Sequence, residues 1–208
     1  MLLDYAISAF VTVFVVVDPV AMAPTFLAVT DGMPREARKT VALRASFIAG
    51  IILIGTALVG NRLLLLFGIS LAAFRIAGGL LLFWIAAEMV FGVRSRHEGE
   101  AAEQAMEERV RNVAAFPLAI PLLAGPGAIA ATVLLAGRAG NDWTLLGVLV
   151  GIEALVAAFC LITFILAQRI SGLLGVTGNI VLSRLLGVLL AALAVQYVVD
   201  GIRAVMAG

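Results

Sequence analysis

Apolar residues fill six long stretches of the chain, and most charged residues lie in the segments between them. The stretches cover roughly residues 4 to 30, 40 to 60, 63 to 91, 113 to 137, 143 to 167 and 178 to 206. Most are close to the ~20 residues that a helix needs to cross a bilayer. This pattern predicts an all-α membrane protein with six transmembrane helices.

The composition supports the same class. Of 208 residues, 63% are hydrophobic and 13% are charged, and the mean hydropathy is +1.15. A single water-soluble core could not bury so many apolar side chains, so the lipid bilayer is the expected surrounding. The net charge of +1 gives no reason to expect a nucleic-acid partner.

A pair of prolines recurs in the first and the fourth apolar stretch. The first contains the string DPVAMAPTFL and the fourth contains AIPLLAGPGAIA, so that Pro19 and Pro24 are spaced like Pro121 and Pro126. Proline lacks a backbone N–H and disturbs the helix behind it. Helices 1 and 4 are therefore predicted to be broken.

Other landmarks follow the proline pair in the same order in both halves. They are Pro19 with Pro121, Arg62 with Arg169, Gly68 with Gly175, Ser70 with Thr177, Arg75 with Arg184, Gly78 with Gly187, and Gly92 with Gly201. Each half holds three spans, an odd number, so the second half must enter the membrane from the opposite side. The sequence thus predicts two inverted three-helix repeats, residues 1–92 and 113–208, joined by a cytoplasmic linker, residues 93–112.

The linker is the only long hydrophilic segment, and its composition favours a short surface helix. His97, the only histidine, lies here and not in a span, so neither a histidine proton relay nor a metal site is expected. We expect no cofactor. The lone Cys160 lies in an apolar stretch, where burial is its expected fate.

Basic residues are divided unequally between the two ends of the predicted helices. Ten lie at one end and four, Arg62, Arg75, Arg138 and Arg203, at the other. The positive-inside rule places the richer end in the cytoplasm and both termini on the outer face, which is periplasmic for a bacterial inner membrane.

The two breaks are the first candidate binding region. Backbone groups freed inside the bilayer must be satisfied by protein, ligand or water, and glycines allow close approach. A half-helix that begins near Pro126 would direct its amides at an anionic group such as a carboxylate. The alternative is that both motifs are packing kinks without a ligand. The candidate residues at the breaks are Asp18, Pro19, Pro24, Pro121, Gly125, Pro126 and Gly127.

Asp18 has two possible roles. It follows Asp4 by 14 residues, about 21 Å of helix, and so lies well inside the bilayer, where carboxylates are usually functional. Aspartate before proline is also a good N-cap for a half-helix that begins at Pro19. One side chain can both cap a helix and bind a ligand or carry a proton.

Glu153 is the second carboxyl group inside a predicted span. It lies ten residues after Trp143, about 15 Å along the helix. Its counterpart in the first half is Ser46, which belongs to a stripe of small residues with Ala42 and Gly50. Glu153 and Ser46 are therefore expected to face the bundle interior and to lie near the breaks. Glu153 is a candidate proton or cation site, or alternatively a neutral structural acid.

Small residues four apart predict close contacts between helices. These pairs are Gly147 with Gly151, Ala73 with Ala77, and Gly187 with Ala191.

The strings that hold the breaks also resemble a known family. DPxxxxPxFL, here Asp18 to Leu27, and FPLAIPLLAGPGAI, residues 116–129, are similar to the MarC family of bacterial and archaeal inner-membrane proteins. The likeness spans nearly the whole chain. It implies a six-helix permease related to small neutral amino-acid transporters, with glycine or alanine as substrate and a proton or sodium gradient as driver. Ala21 stands where glycine is frequent in that family, which implies a slightly tighter first cavity.

The sequence thus predicts a transporter of a small neutral solute that works by alternating access. An exporter or a channel for another solute is the alternative. An intramembrane enzyme is disfavoured, because the spans hold no histidine, no lysine, no cysteine pair and no GxSG turn. The sequence leaves the oligomeric state open, a homo-oligomer included.

Overall fold

The computed structural model describes residues 2–93, 100, 114–140 and 142–207, and these residues form helices joined by short turns. Of the predicted linker helix, residues 93–112, only residues 93 and 100 are among the described residues. His97 lies outside them. The helices are α1 Leu2–Val17, α2 Met22–Val29, α3 Arg35–Leu66, α4 Leu71–Phe91, α5 Ala114–Leu123, α6 Pro126–Ala139, α7 Trp143–Ile165 and α8 Ala167–Ala207.

Four helices among the described residues are long and apolar enough to cross a membrane by themselves. They are α3, α4, α7 and the Thr177–Ala207 part of α8. Two further pairs would each form one bent span: α1 with α2, bent by 41°, and α5 with α6, bent by 56°. The chain is therefore an all-α membrane protein with four to six spans, and the predicted breaks in helices 1 and 4 are confirmed.

The first break lies between α1 and α2. Asp18 adopts a left-handed backbone conformation, with φ of 49°, and its carboxylate Oδ1 accepts a hydrogen bond from the Ala21 N–H at 3.3 Å. α2 begins at Met22, so the helix does not begin at Pro19 as the capping hypothesis assumed. Pro24 lies in the first turn of α2, where its missing N–H would have had no helical partner, and so it causes no second break.

The second break is longer than the proline spacing suggests. In α5 the backbone is extended at Phe116 and Ile120, each of which precedes a proline. Steric contact with the proline ring disfavours the helical conformation of the residue before it. α6 then begins at Pro126 with Gly125 as its N-cap, so the predicted half-helix at Pro126 is confirmed.

α4 and α8 pack closely along most of their length and run antiparallel. Glycines allow the two helices to approach so closely. A β-carbon at Gly79 would lie only 2.7 Å from the Val198 side chain, and one at Gly201 only 2.7 Å from the Ile76 side chain. The approaches along this interface are Gly79 to Ala194 and Val198, Gly187 to Ala86 and Met89, Gly201 to Ala72, Arg75 and Ile76, and Gly92 to Arg184. Small residues let membrane helices approach in this way.

The predicted small-residue contacts are confirmed only in part. Gly187 lies in the α4–α8 interface, and Gly50 packs against Ala157 of α7. The Ala73–Ala77 and Gly147–Gly151 pairs are exposed, and open space surrounds both of the latter glycines, so neither pair is a contact within the described chain. The two glycines of α4 are buried instead: Gly79 faces α8, and Gly78 faces Leu134 of α6.

Candidate functional site

Glu153 lies in α7 at the centre of the bundle, with 0% of its surface exposed. The Glu153 carboxyl group interacts with the hydroxyl of Thr132 in α6. Thr132 is also fully buried. Neither side chain forms a hydrogen bond of standard geometry with any residue that the structure describes. Because an unsatisfied buried polar group is costly, this pair is the strongest sign of a ligand or ion site in the interior.

Tyr5 lies near Glu153, and Tyr197 lies near Tyr5. The Tyr5 hydroxyl of α1 donates to the Leu135 carbonyl of α6 at 3.0 Å and is within electrostatic range of Glu153 and of Tyr197 in α8. The Tyr197 hydroxyl is buried without a partner among the described residues. Helices α1, α6, α7 and α8 thus each contribute a polar side chain to this part of the interior.

Asp18 lies at a different level of the bundle from Glu153. Only 1% of its surface is exposed, and its Oδ2 accepts a hydrogen bond from the Ser183 hydroxyl of α8 at 3.3 Å. Asp18 also lies within electrostatic range of the Cys160 thiol, which is seven residues after Glu153 on α7 and is buried as predicted. Asp18 therefore links the turn of the first break to α8.

Ser46 is buried, and its hydroxyl has no hydrogen-bond partner among the described residues. It does not lie beside Glu153. Ser46 lies four residues before Gly50 on α3, and Glu153 lies four residues before Ala157 on α7. Gly50 and Ala157 are in contact and the two helices run antiparallel, so Ser46 and Glu153 lie on opposite sides of that contact. With a rise of 1.5 Å per residue, roughly 12 Å of helix axis separates them. The structure thus separates these two candidate residues along the bundle.

The prolines and glycines of the breaks differ in their surroundings. Pro19 is buried, whereas Pro24, Pro121 and Pro126 are exposed. A β-carbon at Gly125 would collide with the Pro121 carbonyl oxygen, and one at Gly127 with the Ile85 side chain. The backbone at Gly127 is thus covered in this conformation, and a ligand could reach it only if Ile85 moved.

Sequence reasoning missed four buried hydroxyl groups of the interior, those of Tyr5, Thr132, Ser183 and Tyr197. Each lies in an apolar helix, where single hydroxyls are common and carry little signal.

A cavity opens at each end of the α3–α7 pair. One, of about 360 Å³, is lined by Phe26, Leu27, Arg35, Arg38, Lys39, Ala42, Phe164, Ile165, Leu166, Gln168 and Arg169. The other, of about 570 Å³, is lined by Ala57, Leu58, Val59, Asn61, Arg62, Leu65, Ala136, Gly140, Asp142, Trp143 and Leu146. We call them the basic-end cavity and the opposite-end cavity. Glu153 lies between them, along α7.

Comparison with known proteins assigns the chain and its relatives to one family of membrane proteins. Residues 3–206 match the family described as MarC family integral membrane protein. The chain is 37% identical over 202 residues to a UPF0056 membrane protein of Archaeoglobus fulgidus, covering 96% of this chain and 93% of that protein. It is also 37% identical to UPF0056 membrane protein YhcE of Escherichia coli, over 96% of this chain and 92% of the relative. It is 31% identical to UPF0056 membrane protein YvbG of Bacillus subtilis, over 98% and 96%. No solved structure gives a significant match.

Proposed function

This chain belongs to the MarC family of integral membrane proteins, and we propose that it carries a small neutral solute across the membrane by alternating access. The observation that carries the proposal is the arrangement along α3 and α7. A cavity lies at each end of this helix pair, and the buried Glu153–Thr132 pair lies between the two cavities. A carrier needs a site of this kind, which either end can reach in turn.

The lining of the two cavities supports two inverted repeats. Five lining residues of the opposite-end cavity become five lining residues of the basic-end cavity when 107 is added to their numbers. The pairs are Ala57 with Phe164, Leu58 with Ile165, Val59 with Leu166, Asn61 with Gln168, and Arg62 with Arg169. The same offset relates the landmarks Gly68 and Gly175, both of which have a positive φ. A twofold axis in the membrane plane would exchange the cavities.

Helix contacts support the same symmetry. Gly201 approaches Arg75, and Gly92 approaches Arg184, so that one contact becomes the other when the aligned residues are exchanged. We therefore propose repeats of residues 1–92 and 113–208, with residues 93–112 as the connection between them. In carriers with this architecture, rocking of one repeat against the other opens the central site to alternate sides.

The interior chemistry suits a small zwitterion. A carboxylate such as Glu153 can attract an ammonium group, while the amides at the beginning of α6 can attract a carboxylate. The Thr132 hydroxyl, about 9 Å of helix from Pro126, can bond to either. The resemblance to small neutral amino-acid transporters makes alanine or glycine the proposed substrate. Glu153 is also the proposed site of the coupling proton or sodium ion, and we propose no catalytic role.

The proposed setting is a bacterial inner membrane, with the basic end in the cytoplasm and both termini on the periplasmic side. Of the fourteen basic residues, Arg35, Arg38, Lys39 and Arg169 line the basic-end cavity, whereas Arg62 lines the opposite one. This bias follows the positive-inside rule.

Counterflow in proteoliposomes tests the proposal. Liposomes that contain the purified protein are loaded with unlabelled alanine or glycine and diluted into a trace of labelled solute. A carrier transiently accumulates label above equilibrium, whereas a channel only equilibrates it. If no small neutral metabolite produces flux above protein-free liposomes, the transport proposal is wrong.

A further inference from the structure

The two end cavities match in position but differ in charge. Four cationic side chains line the basic-end cavity, namely Arg35, Arg38, Lys39 and Arg169. The opposite-end cavity has one cation, Arg62, and one carboxylate, Asp142. The four cations come from two separate parts of the chain, the beginning of α3 and the first turn of α8. All four line the same cavity. The positive-inside rule explains why cations lie at one end of the helices, but not why they line one cavity.

Most of this positive charge is not neutralised by the described residues. Lys39 pairs with Glu36 at 3.2 Å, but both side chains are more than half exposed, so the pair contributes little. Arg38 donates from Nε to the Thr30 carbonyl at 3.2 Å, a neutral acceptor that leaves its charge in place. Arg35 and Arg169 form no ion pair with any residue in the described part of the chain.

The other half of the same cavity is apolar. Phe26 and Phe164 stack with ring centroids 4.5 Å apart and form part of its wall. Ile165 and Leu166, at the end of α7, line the cavity and are exposed. An occupant that satisfies both halves carries a compact anion next to an aliphatic chain.

We propose that the basic-end cavity binds the phosphate group of an anionic phospholipid. Guanidinium groups bind phosphate oxygens through paired hydrogen bonds, and basic pockets between helices at this level of a membrane suit acidic headgroups. The apolar wall takes the first part of the acyl chain. Free phosphate shares the anion chemistry but would use only the cationic half. The inference does not depend on the proposed transport function.

Lipid binding to the purified, delipidated protein tests this site. Native mass spectrometry and thermal unfolding are measured with phosphatidylglycerol, with neutral phosphatidylcholine and with inorganic phosphate. The test variant is Arg35→Gln/Arg169→Gln. The matched control is Arg62→Gln/Arg203→Gln, which removes two exposed cations from the other end of the molecule. Arg38 is left in place because it also bonds to the Thr30 carbonyl.

The wild type and the control variant should bind phosphatidylglycerol more tightly than phosphatidylcholine. The test variant should bind it roughly 30-fold more weakly, since each of the two lost cations is worth about fivefold in affinity. Stabilisation by inorganic phosphate equal to that by the lipid would support the anion site but assign it to a free anion. Equal phosphatidylglycerol binding by wild type and test variant would overturn the proposal.

Two further measurements keep the test decisive if the glutamine variant fails to fold. Arg35→Lys/Arg169→Lys keeps both charges and should retain most of the preference for phosphatidylglycerol. In the wild type, the preference should also fall as salt is raised, because screening weakens exposed ionic contacts. A preference that is independent of salt would contradict an ionic headgroup site.

Discussion

Gly50 of α3 and Ala157 of α7 pack so closely that a β-carbon added to Gly50 would lie 3.3 Å from the β-carbon of Ala157. Their numbers differ by 107, the offset that also relates the linings of the two cavities. Two equivalent residues can touch in this way only where a twofold axis passes between them. The contact therefore marks the position expected for the axis of the proposed repeats.

Leucine at position 50 should destabilise the protein, because the added side chain cannot fit between α3 and α7. Overpacking of this kind costs about 1–3 kcal/mol. Gly55→Leu is the control, since open space surrounds Gly55 on the same helix. Thermal unfolding of the purified variants in detergent measures the effect. Equal melting temperatures for the two variants would contradict the contact.

Alanine at position 125 should lower the yield of folded protein. The dihedral angles of Gly125 suit any residue, but its β-carbon would collide with the carbonyl oxygen of Pro121, a backbone atom that has little freedom to move. Gly151→Ala provides the comparison, because nothing lies near that position. Size-exclusion profiles and melting temperatures should separate the two variants. A Gly125→Ala protein as stable as Gly151→Ala would show that the second break is not held in this form.

Asparagine should replace Asp18 with little loss of stability, whereas alanine should not. The side-chain oxygen of asparagine can accept the hydrogen bond from Ala21, its amide NH2 can donate to the Ser183 hydroxyl, and the residue tolerates the left-handed conformation at this position. Alanine loses both bonds, at a cost of about 1 kcal/mol or more. Thermal unfolding distinguishes the two. If Asp18→Asn is as unstable as Asp18→Ala, the negative charge itself stabilises the fold.

Accessibility of single cysteines should show the proposed orientation. In a Cys160→Ala background, Thr144→Cys should react with an impermeant maleimide in intact cells. Glu36→Cys should react only after the membrane is permeabilised, because the basic end is proposed to face the cytoplasm. Each reporter serves as the control for the other. Labelling of both from the same side would contradict opposite ends, and the reverse pattern would invert the proposed orientation.

The sequence predicted the breaks because proline acts locally. Pro126 begins α6 as expected, since its ring suits the first helical position and its missing N–H has no partner there. Pro24 causes no break of its own for the same physical reason, because α2 begins at Met22, after the turn at Asp18, and Pro24 therefore lies in its first turn. The extended backbone at Phe116 could have been predicted from Pro117, which follows it.

Burial of Glu153 was also predictable, but its surroundings were not. Its counterpart Ser46 belongs to a stripe of small residues, and that alignment predicts an inward face for Glu153. Which hydroxyls face it depends on how α1, α6 and α8 pack against α7, and single hydroxyls such as those of Thr132 and Tyr197 leave no pattern along the chain. For the same reason Ser46, the counterpart of Glu153, lies on the far side of the Gly50–Ala157 contact instead of beside it.

Glutamine at position 153 should leave the fold intact and abolish ion-driven accumulation. The amide has the same shape as the neutral acid but cannot release a proton or hold a cation by charge. Exchange of labelled for unlabelled solute should persist, because it needs no net ion movement, but with a raised KM, because Glu153 is also proposed to attract the ammonium group of the solute. Glu88→Gln is the matched control, since Glu88 lies near the end of α4 and accepts a hydrogen bond from Trp84.

Gradient-driven uptake of labelled alanine and glycine into proteoliposomes is the most direct measurement of the central claim. An inward proton or sodium gradient should drive accumulation by the wild type and by Glu88→Gln. Uptake by Glu153→Gln should fall to the level of equilibration. Uptake by the wild type no greater than in protein-free liposomes, for these and other small neutral solutes, would contradict transport by this protein.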